Sequence, residues 1–296
     1  MSDAIRDYLE TLRRALAGSD PATVQDALAD AEDHLRSAVA QLREAEGLDE
    51  GAAMTRALAE YGDAAEVAGA YRAYERLSAP RFPSAASEGA GMAARFFSSL
   101  WDGRAWSSLL FLVISLVTAI VFFYWAVLSL SLSLVFLLFI FGAPLAVLML
   151  WSSRGLLVVE GRLVEGMVGI RMPRRSPVRK RKGIWFGELW ALLKDGYTWR
   201  ALSYLMIKLP LSILWFTIAV VLLVYSLELL AAPILLTIFD LPIVTTGRHV
   251  WYAPEWLLPL LFIAGFLELV ITLHICKGLG RLQGRMARWF LLARGG

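Results

Sequence analysis

The stretch AWSSLLFLVISLVTAIVFFYWAVLSLSLSLVFLLFIFGAPLAVLMLWSS, residues 105–153, contains 49 residues and no charge. As one α-helix it would be about 75 Å long, since each residue adds 1.5 Å. A bilayer has a hydrocarbon core about 30 Å thick, which about 20 helical residues cross. The stretch therefore predicts two membrane spans, at about 106–128 and 131–152, joined by a tight turn at LSLSLS, residues 128–133.

The rest of the chain is also unusually apolar. The whole chain has 296 residues, of which 58% are hydrophobic and 19% charged, and its mean hydropathy is +0.58. About a quarter of a soluble domain is charged. Two further runs, one starting near Leu205 and uncharged over 209–227 and one at 257–276, predict a third and a fourth span. The predicted fold is all-α: a small soluble helical domain followed by a four-helix polytopic transmembrane bundle.

Residues 1–80 differ from the remainder in charge. They hold sixteen acidic residues and eight arginines, a net charge of −8, whereas residues 81–296 carry +11. Apolar residues at helical spacing predict four helices in this acidic domain. Glycines are expected to end the first three, and aspartates to cap the starts of the last three. The stop residues are Gly18, Gly47 and Gly62, and the caps are Asp20, Asp49 and Asp63.

A linker and interfacial segment, residues 81–104, separates the acidic domain from the membrane part, residues 105–296. Lys and Arg are concentrated in a loop at 154–200, which has eleven, and in the tail at 277–296, which has five. The outer loop predicted at 231–256 has only Arg248. Basic residues mark the cytoplasmic side of membrane proteins. We therefore expect a multi-pass protein of the bacterial cytoplasmic (inner) membrane, with both termini and the basic loop in the cytoplasm, inserted through internal spans without a signal peptide.

The most basic part of the loop is RMPRRSPVRKRK, residues 171–182, in which seven of twelve residues are Arg or Lys. A nucleic-acid arm is disfavoured, because this run lies beside a bilayer and the soluble domain is acidic. The simplest interpretation is a topology anchor that also attracts anionic lipids. The acidic domain could dock on the same residues in competition with lipid. The candidate docking residues are Arg171, Arg174, Arg175, Arg179, Lys180, Arg181 and Lys182.

The N-terminal region resembles the HAAS domain, a helical module often paired with PadR-like transcription regulators. The resemblance rests on DYLETLRRAL, ALADAEDHLRSAV and ALAEYGDAAEVAGAYR and covers residues 4–77, with Ala64 where the family often has proline. It implies a cytoplasmic protein partner, a PadR-like regulator. Direct contact with nucleic acid is not expected, because the domain is acidic. The sequence leaves a homo-oligomer open.

Residues 105–290 resemble the "Putative sensor" membrane domain that precedes many histidine kinases. The matching segments are RGLLVVEGRL at 154–163, DGYTWRALSYLMIKLPL at 195–211 and GLGRLQGRMARWFL at 278–291. The most distinctive residues are Thr198, Trp199, Arg200 and Pro210. The resemblance implies two hairpins of spans and signal input across a membrane.

Candidate sensing residues lie in the fourth span and the outer loop. Glu268 is near the middle of its span, where an isolated charge costs about 3 kcal/mol or more. It is either a titrating or ligand-contacting group or a neutral acid hydrogen-bonded to a neighbouring helix. Aromatic residues of the loop fit a ligand surface or an interfacial aromatic belt. The loop candidates are Asp240, Arg248, His249, Tyr252 and Glu255.

Enzymatic motifs are absent from the sequence. It contains no Gly-rich phosphate loop, HExxH or GxSxG motif, and it has three histidines and one cysteine. We therefore expect no enzyme, metal or cofactor. The favoured function is a signalling or sensor module that relays a membrane or envelope condition to a cytoplasmic partner. The alternative is a transporter-associated subunit or envelope-biogenesis scaffold, and an intramembrane enzyme ranks last.

Overall fold

The computed structural model describes residues 3–77, 91–136, 142–173, 185–239, 242, 244–246 and 249–292. Within these ranges the chain is almost entirely helical, with one short antiparallel β-hairpin. The predicted all-α fold is confirmed.

Four helices make up the N-terminal part, as the sequence predicts. They are α1 (Asp3–Ala15), α2 (Pro21–Glu46), α3 (Glu50–Tyr61) and α4 (Ala64–Leu77). Asp20 caps α2 by accepting from the amide of Ala22 at 2.8 Å, and Asp49 caps α3 by accepting from the amide of Ala52 at 3.1 Å. Gly47 ends α2 in the left-handed region with φ of 67°, which glycine adopts without a Cβ penalty.

The core of these helices is small and is completed by tyrosines. Leu12, Leu16 and Leu35 are fully buried. Tyr8 donates to the carbonyl of Gly62 at 3.0 Å, and its burial raises its pKa to about 12. Tyr71 donates to Asp30 at 2.8 Å. These hydroxyls stay neutral at physiological pH. One joins α1 to the turn between α3 and α4, and the other joins α4 to α2.

The membrane part follows a short lead-in formed by α5 (Met92–Phe97) and the 3₁₀ turn Ser98–Leu100. Its elements are α6 (Gly103–Phe136), α7 (Gly142–Val168), α8 (Trp185–Lys194), α9 (Gly196–Ile238), β1 (Val244–Thr246), β2 (His249–Trp251) and α10 (Leu257–Leu291). Four of these helices, all but α5 and α8, are long and apolar enough to cross a membrane. The number of predicted spans is confirmed.

Several predicted boundaries are wrong. The LSLSLS segment does not turn but continues α6 to Phe136, so the second helix begins at Gly142 and not near 131. Leu has a high helix propensity and the segment lacks Gly and Pro, whereas Gly142 and Pro144 suit a helix start. Within the predicted loop 154–200, the apolar pattern predicts helical segments at both ends, and the structure has helix up to Val168 and again from Trp185, apart from Asp195. The predicted outer loop 231–256 is helical up to Ile238, and the tail from 277 is helical up to Leu291.

The two hairpins are inverted relative to each other. Helices α6 and α10 run parallel. Just before α6, Ser99 contacts His274 and Asp102 contacts Lys277. Further along both helices, Ser115 contacts Gln283. Helix α9 is antiparallel to α10, and it therefore runs antiparallel to α6 as well. The end of α6 and the β-hairpin consequently lie at opposite ends of the bundle. The sequence predicts that the α6–α7 connection and the α9–α10 connection lie on the same side, and the structure does not show this arrangement.

Buried polar groups explain this inversion. Arg154 of α7 pairs with Asp195, just before α9, and Glu160 pairs with Lys208 further along both helices. Both pairs can form only if α7 and α9 run in the same direction. The need to pair these buried charges therefore decides the direction of the second hairpin. The uncharged runs of the sequence do not determine that direction.

Candidate functional site: a polar seam between α7 and α9

An ion pair lies in the interior of the membrane helices. Nζ of Lys208 on α9 is 2.6 Å from Oε2 of Glu160 on α7, and both side chains are completely buried. Lys208 directly precedes the uncharged run that begins at Leu209. The two residues belong to the two segments, 154–163 and 195–211, that carry the sensor resemblance. The fold thus brings two separate motifs into direct contact.

Three further side chains complete this pair. Lys208 donates a second hydrogen bond to Oγ1 of Thr118 on α6 at 2.6 Å, and its ammonium lies 4.4 Å from the centre of the Phe122 ring. Tyr204 donates to the other oxygen of Glu160 at 3.0 Å. Both carboxylate oxygens therefore have a donor, and the ammonium has two oxygen acceptors and an aromatic face. Such satisfaction is what a buried charge requires.

A second cluster lies where α7 meets the start of α9. Nη2 of Arg154 is 2.7 Å from Oδ2 of Asp195 and also donates to the hydroxyl of Thr198. The other oxygen of Asp195 caps α9 by accepting from the amide of Tyr197 at 3.1 Å. Nε and Nη1 of Arg154 are buried, and neither has a hydrogen-bond partner among the residues that the structure describes. This guanidinium retains unused donors, so its cluster is less completely satisfied than the Glu160 cluster.

A third layer joins three helices through uncharged groups. The hydroxyls of Ser115 on α6 and Ser212 on α9 are 3.2 Å apart, and Gln283 of α10 donates to Ser115. All three side chains are buried. We use the name polar seam for the residues of the three layers, which are Arg154, Asp195, Thr198, Glu160, Tyr204, Lys208, Thr118, Ser115, Ser212 and Gln283.

The polar seam is expensive to bury and specific in geometry. An isolated charge at the centre of a membrane helix costs about 2.5–3.5 kcal/mol on insertion scales. Pairing offsets that cost only in the observed geometry, because a displaced partner leaves an unpaired charge in a low-dielectric interior. These contacts therefore fix the position of α7 relative to α9.

The end of the seam contacts the last turn of α10. Arg200, two residues after Thr198, donates to the carbonyl of Leu292 at 2.7 Å and to that of Trp289. These carbonyls have no partner within α10, because a helix leaves its last four carbonyls free. A cation at this end also interacts favourably with the helix dipole. Arg200 therefore acts as a C-terminal cap for α10.

The same turn of α10 contacts the N-terminal helices. Nη2 of Arg288 lies 3.0 Å from both carboxylate oxygens of Asp20, the residue that caps α2. Both side chains are about three-quarters buried. A second contact places the guanidinium carbon of Arg171 5.9 Å from the centre of the Tyr74 ring on α4. Two arginines of the membrane part thus bind α2 and α4.

The lead-in to α6 also binds α10. Phe96 stacks on His274 with ring centres 5.3 Å apart, and the hydroxyl of Ser99 lies 3.2 Å from Nδ1 of His274. Asp102, which is buried, forms an ion pair with Lys277. The segment predicted to lie along the membrane surface therefore packs on a helix of the bundle.

The predicted sensing residues are not brought together. Glu268 is partly buried and has no hydrogen-bond or ion-pair partner among the residues that the structure describes, so the neutral hydrogen-bonded alternative finds no support. Tyr252 and Glu255 are exposed. Asp240, Arg248 and the side chain of His249 lie outside the described part of the chain.

The remaining predicted residues have different environments. Thr198 is buried in the seam, whereas Trp199 and Pro210 are exposed, Trp199 donating to the carbonyl of Leu193 at 2.8 Å. Of the docking candidates, Arg171 contacts α4. The others, Arg174, Arg175, Arg179, Lys180, Arg181 and Lys182, lie outside the described ranges, and docking there stays a prediction.

Sequence reasoning missed Glu160, Lys208 and Arg154. It placed residues 154–200 in a cytoplasmic loop with helical segments at both ends, and it counted Glu268 as the one deep charge. The buried Glu160–Lys208 pair shows that this count is wrong. A usable signal was present, since Glu160 and Lys208 each lie on an otherwise apolar helical face. Glu160 is acidic and lies in the segment 154–163, whereas Lys208 is basic and lies in the segment 195–211. Their opposite charges would have suggested that the two residues form an ion pair.

Comparison with known protein families agrees with this division of the molecule. Residues 7–70 match the HAAS family, and residues 111–291 match the family described as "Putative sensor". Among curated proteins and among solved structures, no match to this chain was found. Both resemblances noted in the sequence are confirmed. Because the second match covers more than half of its residues, the chain belongs to the "Putative sensor" family and carries a HAAS region ahead of its membrane helices.

Proposed function

We propose that the protein is a membrane signal-transduction module, which relays a membrane or envelope condition to a cytoplasmic partner protein. The observation that carries this proposal is the ion pair between Arg288 and Asp20, because it joins the sensor helices to the HAAS region. A module that only anchored the HAAS helices would need no contact beyond the linker.

The proposed route of the signal follows contacts between neighbouring groups. Arg154 and Thr198 bind each other in the polar seam, and Arg200, two residues further on, holds the carbonyls at the end of α10. Arg288 on that same turn holds Asp20. A shift of α7 against α9 would displace Arg200 and with it the last turn of α10. Asp20, which caps α2, would then gain or lose its ion pair with Arg288.

The orientation that we propose places this junction in the cytoplasm of a bacterium. Asp20, Tyr74, Arg171 and Arg288 lie together, so the HAAS region, the start of the basic segment and the end of α10 share one side. The concentration of Lys and Arg in residues 171–182 and 277–296 favours the cytoplasmic side for all three. Anionic lipids of that leaflet are the expected partners of the basic segment.

The partner that we propose is a PadR-like regulator, in keeping with the HAAS match. The exposed faces of α1–α4 are predominantly acidic, which favours a basic docking surface on the regulator and disfavours direct binding of nucleic acid. The proposed output is therefore a change in how these faces are presented, with no catalysis by the chain itself.

Replacing Arg288 by glutamine tests the relay. In bilayer nanodiscs, we expect faster amide hydrogen exchange in the first turns of α2, because Asp20 loses a cation that is about three-quarters buried. When a PadR-like regulator encoded by the same genome is co-expressed with the chain, the amount of regulator captured should also change in this variant. Arg281→Gln is the matched control, since Arg281 is an exposed cation on the same helix. Unchanged exchange and unchanged capture in Arg288→Gln would contradict the proposal.

A transporter-associated subunit is the second candidate function. The deep Glu160–Lys208 pair is the kind of intramembrane charge that marks transport pathways, and α9 contains Pro210 and Pro233 within its length. If this function is correct, Glu160→Gln should abolish proton- or ion-coupled flux in liposomes that contain the full chain and its associated transporter. Flux equal to that of the wild type would exclude Glu160 from a transport pathway.

A further inference from the structure

A cleft of about 230 Å³ opens between α6, α7, α8 and α9. Its walls are almost wholly apolar and include Ala146 and Leu150 of α7 and Leu189 and Leu193 of α8. Cavities with apolar linings of this kind stay dry but accept apolar ligands. Three of the helices that form the cleft, α6, α7 and α9, are long and apolar enough to cross a membrane, so lipid hydrocarbon is the material that surrounds its opening.

One polar group in the wall lacks a partner. Ser129 of α6 lines the cleft and is 5% exposed, and its hydroxyl makes no hydrogen bond to any described residue. Other serines in these helices bond to the carbonyl four residues earlier, as Ser108 does to Arg104 and Ser153 to Met149. Ser129 therefore keeps a free donor that faces an otherwise apolar space.

The edge of the cleft is cationic and amphipathic. Lys194 follows Leu193 directly at the end of α8, and its ammonium lies 5.0 Å from the centre of the Trp190 ring. Both Trp190 and Lys194 are exposed. Tryptophan and lysine together are typical of the headgroup region of a bilayer. These three features match the parts of an anionic lipid in order. The apolar cleft suits an acyl chain, the hydroxyl donor suits an ester carbonyl, and the cation at the edge suits a phosphate.

We propose that this cleft binds one acyl chain of an anionic glycerophospholipid, with the hydroxyl of Ser129 donating to an ester carbonyl and Lys194 attracting the phosphate. The lipid supplies what the site lacks, which is apolar volume and one acceptor. This inference names a ligand for the sensor module proposed above and in that sense rests on it. Lipid retention is measured without a signalling readout, so failure of the lipid site and failure of the relay are distinguishable.

Native mass spectrometry of the full chain in a mild detergent, with phosphatidylglycerol added, tests the site. The wild type is expected to retain one phosphatidylglycerol. Ser133→Leu and Ala146→Leu add apolar volume inside the cleft from two different helices and should abolish retention. Ser129→Ala removes the donor without filling the space and should weaken retention about fivefold, the loss expected for one hydrogen bond.

Ser131→Leu is the matched control, because it is the same substitution on the same helix at an exposed position that does not line the cleft. Its retention should equal that of the wild type. Circular dichroism identifies any variant that fails to fold, and the two filling variants are independent of each other. The proposal is overturned if a folded filling variant retains as much lipid as the wild type, or if the wild type retains no phosphatidylglycerol or only free fatty acid.

Discussion

Glu160→Ala is expected to destabilise the bundle by about 3–5 kcal/mol, the loss measured when one member of a buried ion pair is removed. The variant leaves Lys208 fully buried, with Phe122 beneath its ammonium and Thr118 as its one hydrogen-bond acceptor in the described part of the chain. It also deprives Tyr204 of its acceptor. Lys208→Ala should have a comparable effect, because it leaves the Glu160 carboxylate buried with a single donor.

Unfolding of the purified full chain in detergent, followed by circular dichroism, measures this loss. The double variant Glu160→Met with Lys208→Met should recover most of the stability, since replacing both charges by apolar groups of similar volume is often neutral or stabilising. Arg162→Ala, at an exposed position on the same helix, is the control and should change little. Single variants as stable as the wild type would mean that the pair does not hold α7 against α9.

Gly265→Ala is expected to force α9 and α10 apart. A Cβ at this position would lie 2.6 Å from the backbone nitrogen of Leu230 and 2.8 Å from Cβ of Leu229, distances that real side chains do not adopt. The obstructing atom is backbone and cannot rotate away. Overpacking of this kind costs about 1–3 kcal/mol. Gly265→Leu should cost more, because small residues are what allow membrane helices to approach closely.

Gly278→Ala provides the matched control for this prediction. It lies on the same helix, and no atom comes within 4 Å of the Cβ that the substitution would add. Alanine also favours a helix over glycine, by up to about 1 kcal/mol. We therefore expect Gly278→Ala to raise the unfolding midpoint slightly and Gly265→Ala to lower it. A midpoint for Gly265→Ala at or above that of the wild type would show that α9 and α10 are not in backbone contact there.

The two sets of variants separate stability from relay. Glu160 and Gly265 hold the membrane helices together, whereas Arg288 contacts the HAAS region from the surface of α10. An Arg288 variant should therefore keep the unfolding midpoint of the wild type, while the exposure of α2 and the capture of the regulator change. That contrast is useful, because loss of signalling in a destabilised protein would not identify a relay residue.

The amino-acid sequence by itself determined the class of the protein and the course of its local structure. Uncharged runs longer than a bilayer requires leave a chain few alternatives to membrane helices. Glycine and aspartate placed the ends of α1–α3 correctly, because a helix cap is an interaction between residues close in sequence. The turn at 128–133 was wrong for the converse reason. Hydropathy alone cannot locate a turn within a continuous apolar run that lacks local turn chemistry.

Only the tertiary structure decided which charges meet. Glu160 and Lys208 are separated by 48 positions, and Asp20 and Arg288 by 268, so no local pattern links the members of either pair. The same pairs set the directions of α7 and α9 and the contact of α10 with α2. A charge in a low-dielectric interior must find an opposite charge wherever the fold can supply one. The identity of that partner depends on how whole helices pack and not on the sequence around either residue.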